Sequence, residues 1–301
     1  MHHHGMASSI DNTTTSCASC GKEGGNLNIC NKCKLVRYCN AACKKKHRSK
    51  HKKACERRVA ELHDEELFKE HPCEECPICF LSLPIGKNQT TFKSCCGKII
   101  CCGCIDAMFD EALGRGKIGL CAFCREPNPS SEEEETNRVK KLTEAHHAYA
   151  FYVLAGWCKN GSTGIQQDYE KSNELFLKAG ELGCAEAYSK LGYSYDVGRG
   201  VKVDKKKAKH YYELAAMNGD LHARHNLGCV EGRTGNNTRA YKHYILSARA
   251  GYKESLDAVK NGFMNGMVTK DEYANTLRAY QKMQDETKSD DRDRARENRL
   301  D

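Results

Sequence analysis

Two groups of metal-ligating side chains lie within the first 124 residues of the chain, and together they contain fifteen cysteines and one histidine. The first group is Cys17, Cys20, Cys30, Cys33, Cys39, Cys43, His51 and Cys55. The second group is Cys76, Cys79, Cys95, Cys96, Cys101, Cys104, Cys121 and Cys124. Cysteines two residues apart can bind one tetrahedral Zn²⁺ from a single turn of chain. Eight ligands in each group therefore predict four zinc ions, each with four protein ligands and no open position for an activated water.

Composition limits the classes of protein to which the chain can belong. It has 301 residues and a mean hydropathy of −0.72. No apolar run approaches the ~20 residues that a membrane span needs, so we expect no membrane association. We find no secretory signal and expect a protein that is cytoplasmic and/or nuclear and not secreted. In such compartments cysteines are metal ligands more often than disulfide partners.

Positive charge is concentrated near the N-terminus. Residues 1–60 hold thirteen Lys/Arg and three acids, whereas the whole chain has a net charge of only +8. The run KKKHRSKHKK from Lys44 to Lys53 raises a nucleic-acid interpretation. A solvated basic helix is the preferred explanation of the run, and Tyr38 is the one aromatic residue of the module on which a base could stack. A nucleic-acid partner is therefore considered but not favoured.

The first ligand group, residues 17–55, resembles the MYND-type zinc finger. The resemblance rests on the spacing of all eight ligands and on the motifs RYCNAAC and HRSKHKKAC. It implies interlaced binding, with Cys17, Cys20, Cys39 and Cys43 on one ion and Cys30, Cys33, His51 and Cys55 on the other. His47 is the rival histidine, and the family spacing selects His51. About 39 residues bury too little apolar surface to fold alone, so zinc must stabilise this module, by ~10 kcal/mol or more per ion.

The second group, residues 73–129, resembles a RING finger in which all eight ligands are cysteine. The motifs are ECPICF, SCCGKIICCGCI and LCAFCREPNP. The resemblance implies one ion on Cys76, Cys79, Cys101 and Cys104 and another on Cys95, Cys96, Cys121 and Cys124. An alignment that begins the second set at Cys96 would place Lys98 as a ligand, which its ammonium form cannot be. Cys73 could instead form a shifted pair with Cys76, and Cys102 is spare in either case.

RING fingers hold a charged ubiquitin-conjugating enzyme in a reactive geometry, which is catalysis by orientation and needs no catalytic residue. On the family pattern, Ile78 would contact that enzyme and Arg125 would hold ubiquitin against it. The alternatives are packing for Ile78 and a surface ion pair for Arg125.

From about residue 145 the chain becomes repetitive. The spacing from Leu154 to Leu191 is 37 residues, and from Leu191 to Leu227 it is 36, which indicates an α-solenoid of helix pairs. The predicted helix caps and helix ends are Asp168, Asp204, Gly183, Gly219 and Gly251. The pattern resembles Sel-1-like repeats, relatives of tetratricopeptide repeats. Three units are clear, with a degenerate fourth, and such solenoids bind peptides or proteins.

The remaining segments connect or terminate these modules. We predict a linking helix over 56–72, a helix start in 130–144 with a capping box at Ser131 and Glu134, and a solenoid over 145–267. A capping helix over 268–286 begins at a box formed by Thr269 and Glu272. Residues 1–16 and 287–301 are predicted to be disordered. The fold class is mainly α: two small zinc modules followed by a solenoid.

The predicted function is that of a zinc-binding intracellular protein-interaction protein. The leading hypothesis is a RING-type ubiquitin ligase or ligase subunit that recruits substrate through its repeats. The predicted partners are a ubiquitin-conjugating enzyme and substrate or assembly proteins. A non-enzymatic scaffold is the rival hypothesis, and a nucleic-acid-associated regulator is a third. MYND fingers also accompany methyltransferase domains, but we find no second catalytic domain.

Overall fold

The structure is a computed structural model that describes residues 16–86, 88–114 and 119–298, without the side chains of 111–114. Nearly all of the predicted N-terminal disordered segment, and the last three residues of the C-terminal one, lie outside the described residues. The chain forms two compact units, Met1–Lys69 and Glu70–Asp301. Over the described part of the chain, no helix is both long enough and apolar enough to cross a bilayer.

The first unit contains a two-stranded antiparallel sheet and one long helix. The strands are β1 (Asn28–Ile29) and β2 (Arg37–Tyr38), and the helix is α1 (Ala41–Leu67). Asn40 caps the helix by accepting a hydrogen bond from the backbone N–H of Cys43 at 2.9 Å. No glycine or proline interrupts α1, so the first part of the predicted linking helix, up to Leu67, continues the helix that carries the last zinc ligands. Residues 68–72 of that prediction are not helical.

The second unit begins with a small module built around a hairpin. Strands β3 (Thr90–Lys93) and β4 (Lys98–Cys101) pair antiparallel, and α2 (Cys102–Gly114) follows directly. Its core consists of Cys76, Ile100, Cys101 and Cys121, all fully buried. A core of three cysteines and one isoleucine has little apolar volume, so this module also depends on metal for its stability.

Nine consecutive helices follow along this part of the chain. They are α3 (Glu132–Glu144), α4 (Ala148–Asn160), α5 (Tyr169–Glu181), α6 (Ala185–Val197), α7 (Lys205–Met217), α8 (Leu221–Arg233), α9 (Asn237–Arg249), α10 (Lys253–Met264) and α11 (Lys270–Glu286). The closest packing is between α4 and α5, between α6 and α7, and between α8 and α9, which confirms the predicted mainly α fold class. Beyond these pairs, α10 and α11 both pack against α9 and contact each other. Helix α11 begins at the predicted capping box of Thr269 and Glu272.

The predicted repeat caps and turns take the expected conformations. The side chains of Asp168 and Asp204 cap α5 and α7 by accepting backbone N–H bonds. The helix ends Gly183, Gly219 and Gly251 have φ of +101°, +93° and +101°, a left-handed region that other residues enter only at a cost. At Ser131 the cap is present, but Glu134 bonds to Ser130 instead of closing the predicted box.

The turns between successive repeats contact the hairpin module. A side chain at Gly219 would come within 3.3 Å of His71, and one at Gly251 within 3.1 Å of Ile85. On α3, Glu135 accepts a hydrogen bond of 2.6 Å from Ser94, the first residue of the β3–β4 turn. The hairpin module and the repeats are therefore joined by direct side-chain contacts into one unit.

The C-terminal segment is ordered through residue 298, so the prediction of a disordered tail from residue 287 is wrong for residues 287–298. Residues Asp290–Glu297 form α12, capped by Ser289, and this helix packs against α2. Arg292 is 5% exposed and Ala295 is 2% exposed. Composition suggests disorder because the segment is almost entirely charged, but the buried side chains of Arg292 and Ala295, one turn apart, pack this short helix against α2.

Candidate metal centres

The first centre gathers Cys17, Cys20, Cys39 and Cys43 from two turns and the first turn of α1. The Sγ atoms of Cys20 and Cys39 are 3.7 Å apart, and those of Cys39 and Cys43 are 3.3 Å apart. The Asn40 cap fixes the start of α1 and so the direction in which Cys43 points. Cys17 is buried and Cys20 is exposed, so this centre lies at the edge of its unit.

The second centre gathers Cys30, Cys33, His51 and Cys55. His51 and Cys55 stand four residues apart on one face of α1, and His51 Nε2 lies 3.2 Å from Cys33 Sγ. The rival histidine, His47, is engaged elsewhere: its Nδ1 is 3.2 Å from the Tyr38 hydroxyl, and its ring stacks on His51. The structure thus brings His51, and not His47, to the cysteines.

The hairpin module contains the other two centres. The third gathers Cys76, Cys79, Cys101 and Cys104. Its sulfur atoms are separated by 3.9 Å between Cys76 and Cys104 and by 3.8 Å between Cys79 and Cys101. The fourth gathers Cys95, Cys96, Cys121 and Cys124. Adjacent Cys95 and Cys96 lie in the β3–β4 turn, and both face the same centre. The Sγ atoms of Cys95 and Cys124 are 3.4 Å apart, and those of Cys96 and Cys121 are 3.9 Å apart.

The geometry of all four clusters fits zinc. The ligand atoms of each cluster lie within 4.8 Å of one another. A tetrahedral ion with Zn–S bonds of about 2.3 Å holds its sulfurs about 3.8 Å apart, close to the separations found here. All twenty cysteines are free of disulfide bonds. Zinc is the metal that these thiolate and imidazole donors fit, as predicted, and the described residues form four such sites.

Local backbone geometry favours ionisation of one thiol in each cluster. The backbone N–H of Cys39 lowers the pKa of Cys17 to about 6. Burial alone would raise the pKa of Cys30, Cys76 and Cys121, but nearby backbone N–H groups outweigh it. The N–H of Cys33 contributes to a pKa of about 6 for Cys30. The N–H groups of Cys101 and Cys79 contribute to a pKa of about 7 for Cys76, and that of Cys124 to a pKa of about 7 for Cys121. Burial, followed by side-chain hydrogen bonds with Cys33 and Cys30, raises the pKa of the neighbouring thiol Cys55 to about 11. Full ionisation of a cluster therefore needs a cation between the sulfurs.

The cysteines predicted to be spare lie outside the clusters. Cys73 Sγ is 4.0 Å from Met283 Sδ, and Cys102 donates to the Asn88 carbonyl at 3.1 Å. The shifted pairing of Cys73 is therefore not the arrangement that the structure shows. Lys98 lies 5.7 Å above the Phe123 ring and does not join a cluster.

The two residues predicted to contact partners occupy different environments. Ile78 is partly buried and packs against the core of the hairpin module. Arg125 is exposed and has a φ of +66°; its N–H donates to the Cys121 carbonyl at 3.0 Å.

Sequence reasoning missed Arg292, whose guanidinium reaches Cys79 Sγ at 3.3 Å. These two residues are 213 positions apart, so no local signal could have indicated the contact.

Fold and centres together define a zinc-finger protein with helical repeats, an architecture for protein–protein interaction. Comparison with known families confirms both resemblances: the MYND finger matches residues 17–55, and the Sel1 repeat matches residues 144–184, 185–220 and 221–252. The chain therefore contains a MYND finger and three Sel1 repeats.

Individual relatives match only part of the chain. NMB1327 of Neisseria meningitidis serogroup B is 31% identical over 91 residues, covering 30% of this chain and 19% of the relative. The ERAD-associated E3 ubiquitin-protein ligase component HRD3B of Arabidopsis thaliana is 30% identical over 100 residues, covering 33% and 15%. The chain thus spans less than a fifth of the length of either relative.

Two solved structures of repeat proteins are similar to part of the chain. The Sel1 repeat protein from Oxalobacter formigenes has 21% identity and a TM-score of 0.46, with 60% of this chain and 71% of that chain covered. The c5321 antigen of uropathogenic Escherichia coli, described as having an SLR fold, has 24% identity and a TM-score of 0.46, with 52% and 34% covered.

Proposed function

We propose that the chain is a RING-type ubiquitin ligase or a ligase subunit, working in the cytoplasm and/or the nucleus. The observation that carries the proposal is the order of ligands in the hairpin module. Its pairs alternate along the chain: Cys76 with Cys79 and Cys101 with Cys104 share one centre, while Cys95 with Cys96 and Cys121 with Cys124 share the other. This alternation is the interlaced arrangement of the family that the module resembles.

Exposed apolar side chains around these centres support a docking role. Phe80, directly after Cys79, is 72% exposed, and Phe123, between two ligands of the fourth centre, is 43% exposed. Phe109 on α2 is 49% exposed. Large apolar groups in water favour a protein partner, and we propose the ubiquitin-conjugating enzyme as that partner, with Ile78 at its contact and Arg125 towards ubiquitin. The name of the HRD3B relative places that protein in a ligase, which is consistent with this context.

The repeats are proposed to recruit the substrate or an assembly partner. The turns that contain Gly219 and Gly251 already contact the hairpin module. The opposite end of each helix pair, where its own two helices are joined, is therefore the proposed recruiting surface. There Tyr193, Val197 and Val203, on α6 and the loop after it, are 42%, 45% and 51% exposed.

A discharge assay tests the proposal. Zinc-loaded protein is mixed with a conjugating enzyme charged with ubiquitin, and transfer to free lysine is followed. We expect faster discharge, abolished in Ile78→Ala and Arg125→Ala at unchanged zinc content. Lys141→Ala, an exposed change on α3, is the matched control. No acceleration with a full panel of conjugating enzymes would refute the ligase and favour the non-enzymatic scaffold.

One observation favours a second candidate, a nucleic-acid-associated regulator. All seven Lys and Arg side chains between Lys44 and Lys53 are exposed on α1. Phosphate contacts are strongest at low salt, so nucleic-acid binding that is absent at low salt would exclude this candidate.

A further inference from the structure

The C-terminal helix α12 places one buried cation directly against the third metal centre. The Nη2 of Arg292 donates to Cys79 Sγ at 3.3 Å and to the Leu81 carbonyl at 3.3 Å. Its Nη1 donates to the carbonyls of Ser82 and Thr287 at 2.7 and 2.8 Å. Cys79 is a ligand of this centre, and Leu81 and Ser82 follow it in the chain. One guanidinium therefore bonds both to a ligand sulfur and to the loop that presents that sulfur.

The charge of Arg292 requires a negative partner that the neighbouring side chains do not supply. Among the described residues, its partners are carbonyl oxygens and the sulfurs of Cys79 and Cys101, and none is a carboxylate. A buried guanidinium without a counter-charge is strongly unfavourable. A divalent ion bound by four thiolates has a net charge of about −2. The metal-loaded third centre is thus an anion in contact with Arg292, and it supplies the missing charge.

The shape of the interface holds this contact in place. Gly103 lies on α2 between Cys102 and the ligand Cys104, and a side chain there would come within 2.8 Å of both Cγ and the backbone N of Arg292. Ala295, one turn further along α12, is 2% exposed. The backbone of α12 therefore packs directly on the segment that supplies the ligands, and Arg292 does not reach the sulfur as a long, loosely held side chain.

We propose that Arg292 is a positioning residue of the third zinc centre, and that metal bound there holds the C-terminal helix in place. The guanidinium disperses excess negative charge on the thiolates and fixes the Cys79 sulfur, which favours metal binding. The coupling is reciprocal. If a bound ion favours docking of α12, then docked α12 must strengthen binding of that ion by the same factor. The proposal does not depend on ubiquitin chemistry, so it can hold where the ligase proposal fails.

Zinc transfer from the full-length, zinc-loaded protein to a colorimetric chelator provides the first test. Arg292→Met removes the charge and keeps most of the side-chain length, and Arg292→Lys keeps the charge without the planar fork. Arg294→Met is the matched control, since the Arg294 side chain on the same helix is 59% exposed. We expect one of the four ions to bind about 10–100-fold more weakly in Arg292→Met. Arg292→Lys should be intermediate, and Arg294→Met unchanged.

Hydrogen exchange of the peptide covering 290–297 provides the second test. Its protection should fall when zinc is stripped and also in zinc-loaded Arg292→Met. Ala295→Glu would detach α12 while leaving Arg292 and every ligand in the chain, and it should weaken the same ion. The proposal is overturned if Arg292→Met and Ala295→Glu retain zinc as the wild type does. It is also overturned if 290–297 stays protected after all zinc has been removed.

Discussion

Helix α8 contains two glycines whose replacement by alanine should have clearly different effects on stability. A side chain at Gly228 would come within 3.0 Å of three ring atoms of Tyr244. At Gly232, four residues further along the same helix, the nearest atom would be Ala240 Cβ at 3.9 Å, an ordinary contact. Alanine in place of a helical glycine stabilises by about 0.5–1 kcal/mol. Both substitutions gain that contribution, and the Gly228 substitution alone forces the Tyr244 ring aside.

The Tyr244 ring is held on several sides. Its hydroxyl donates to Cys229 Sγ at 3.4 Å, and its centroid lies 5.3 Å from that of His225 and 5.9 Å from that of Tyr241. Overpacking against a ring held in this way costs about 1–3 kcal/mol. Gly232→Ala should therefore stabilise the repeats by about 0.5–1 kcal/mol. Gly228→Ala should be about 1–3 kcal/mol less stable than Gly232→Ala, because the shared helix contribution cancels.

Thermal unfolding followed by circular dichroism on zinc-saturated protein measures the pair. In a unit of this size, 1 kcal/mol corresponds to roughly 2–4 °C in Tm. We expect Gly232→Ala to melt above the wild type and Gly228→Ala to melt below Gly232→Ala. A Gly228→Ala protein as stable as Gly232→Ala would refute the claim that Tyr244 packs tightly against the helix backbone.

The remaining predictions concern the metal centres and one helix cap. Cys55→Ser should lower the zinc content from four ions towards two by elemental analysis, because the two sites of the first finger share its short segments; Cys73→Ser, outside every cluster, should keep four. Thr269→Ala, which removes the α11 cap, should destabilise by about 1 kcal/mol in urea unfolding, and Thr238→Ala, an exposed helix position, should be close to neutral.

The sequence by itself determined the features that are encoded locally. Cysteines two residues apart and the His51–Cys55 spacing specify metal ligands, because one turn of chain brings such side chains together. The repeat period and the caps at Asp168 and Asp204 specify helix pairs, because helix starts and ends depend on near neighbours. The MYND finger and the Sel1 repeats are therefore predictable from the order of residues alone.

Only the tertiary structure decided which parts of the chain pack together. Family spacing selects His51, but the engagement of His47 with Tyr38 is visible only in the fold. The contact of Arg292 with Cys79 joins residues 213 positions apart, and it turns a segment whose composition suggests disorder into a docked helix. The physical reason is that a charged side chain can be buried only where the fold places an opposite charge beside it. Neither composition nor periodicity indicates where in the fold that opposite charge will lie.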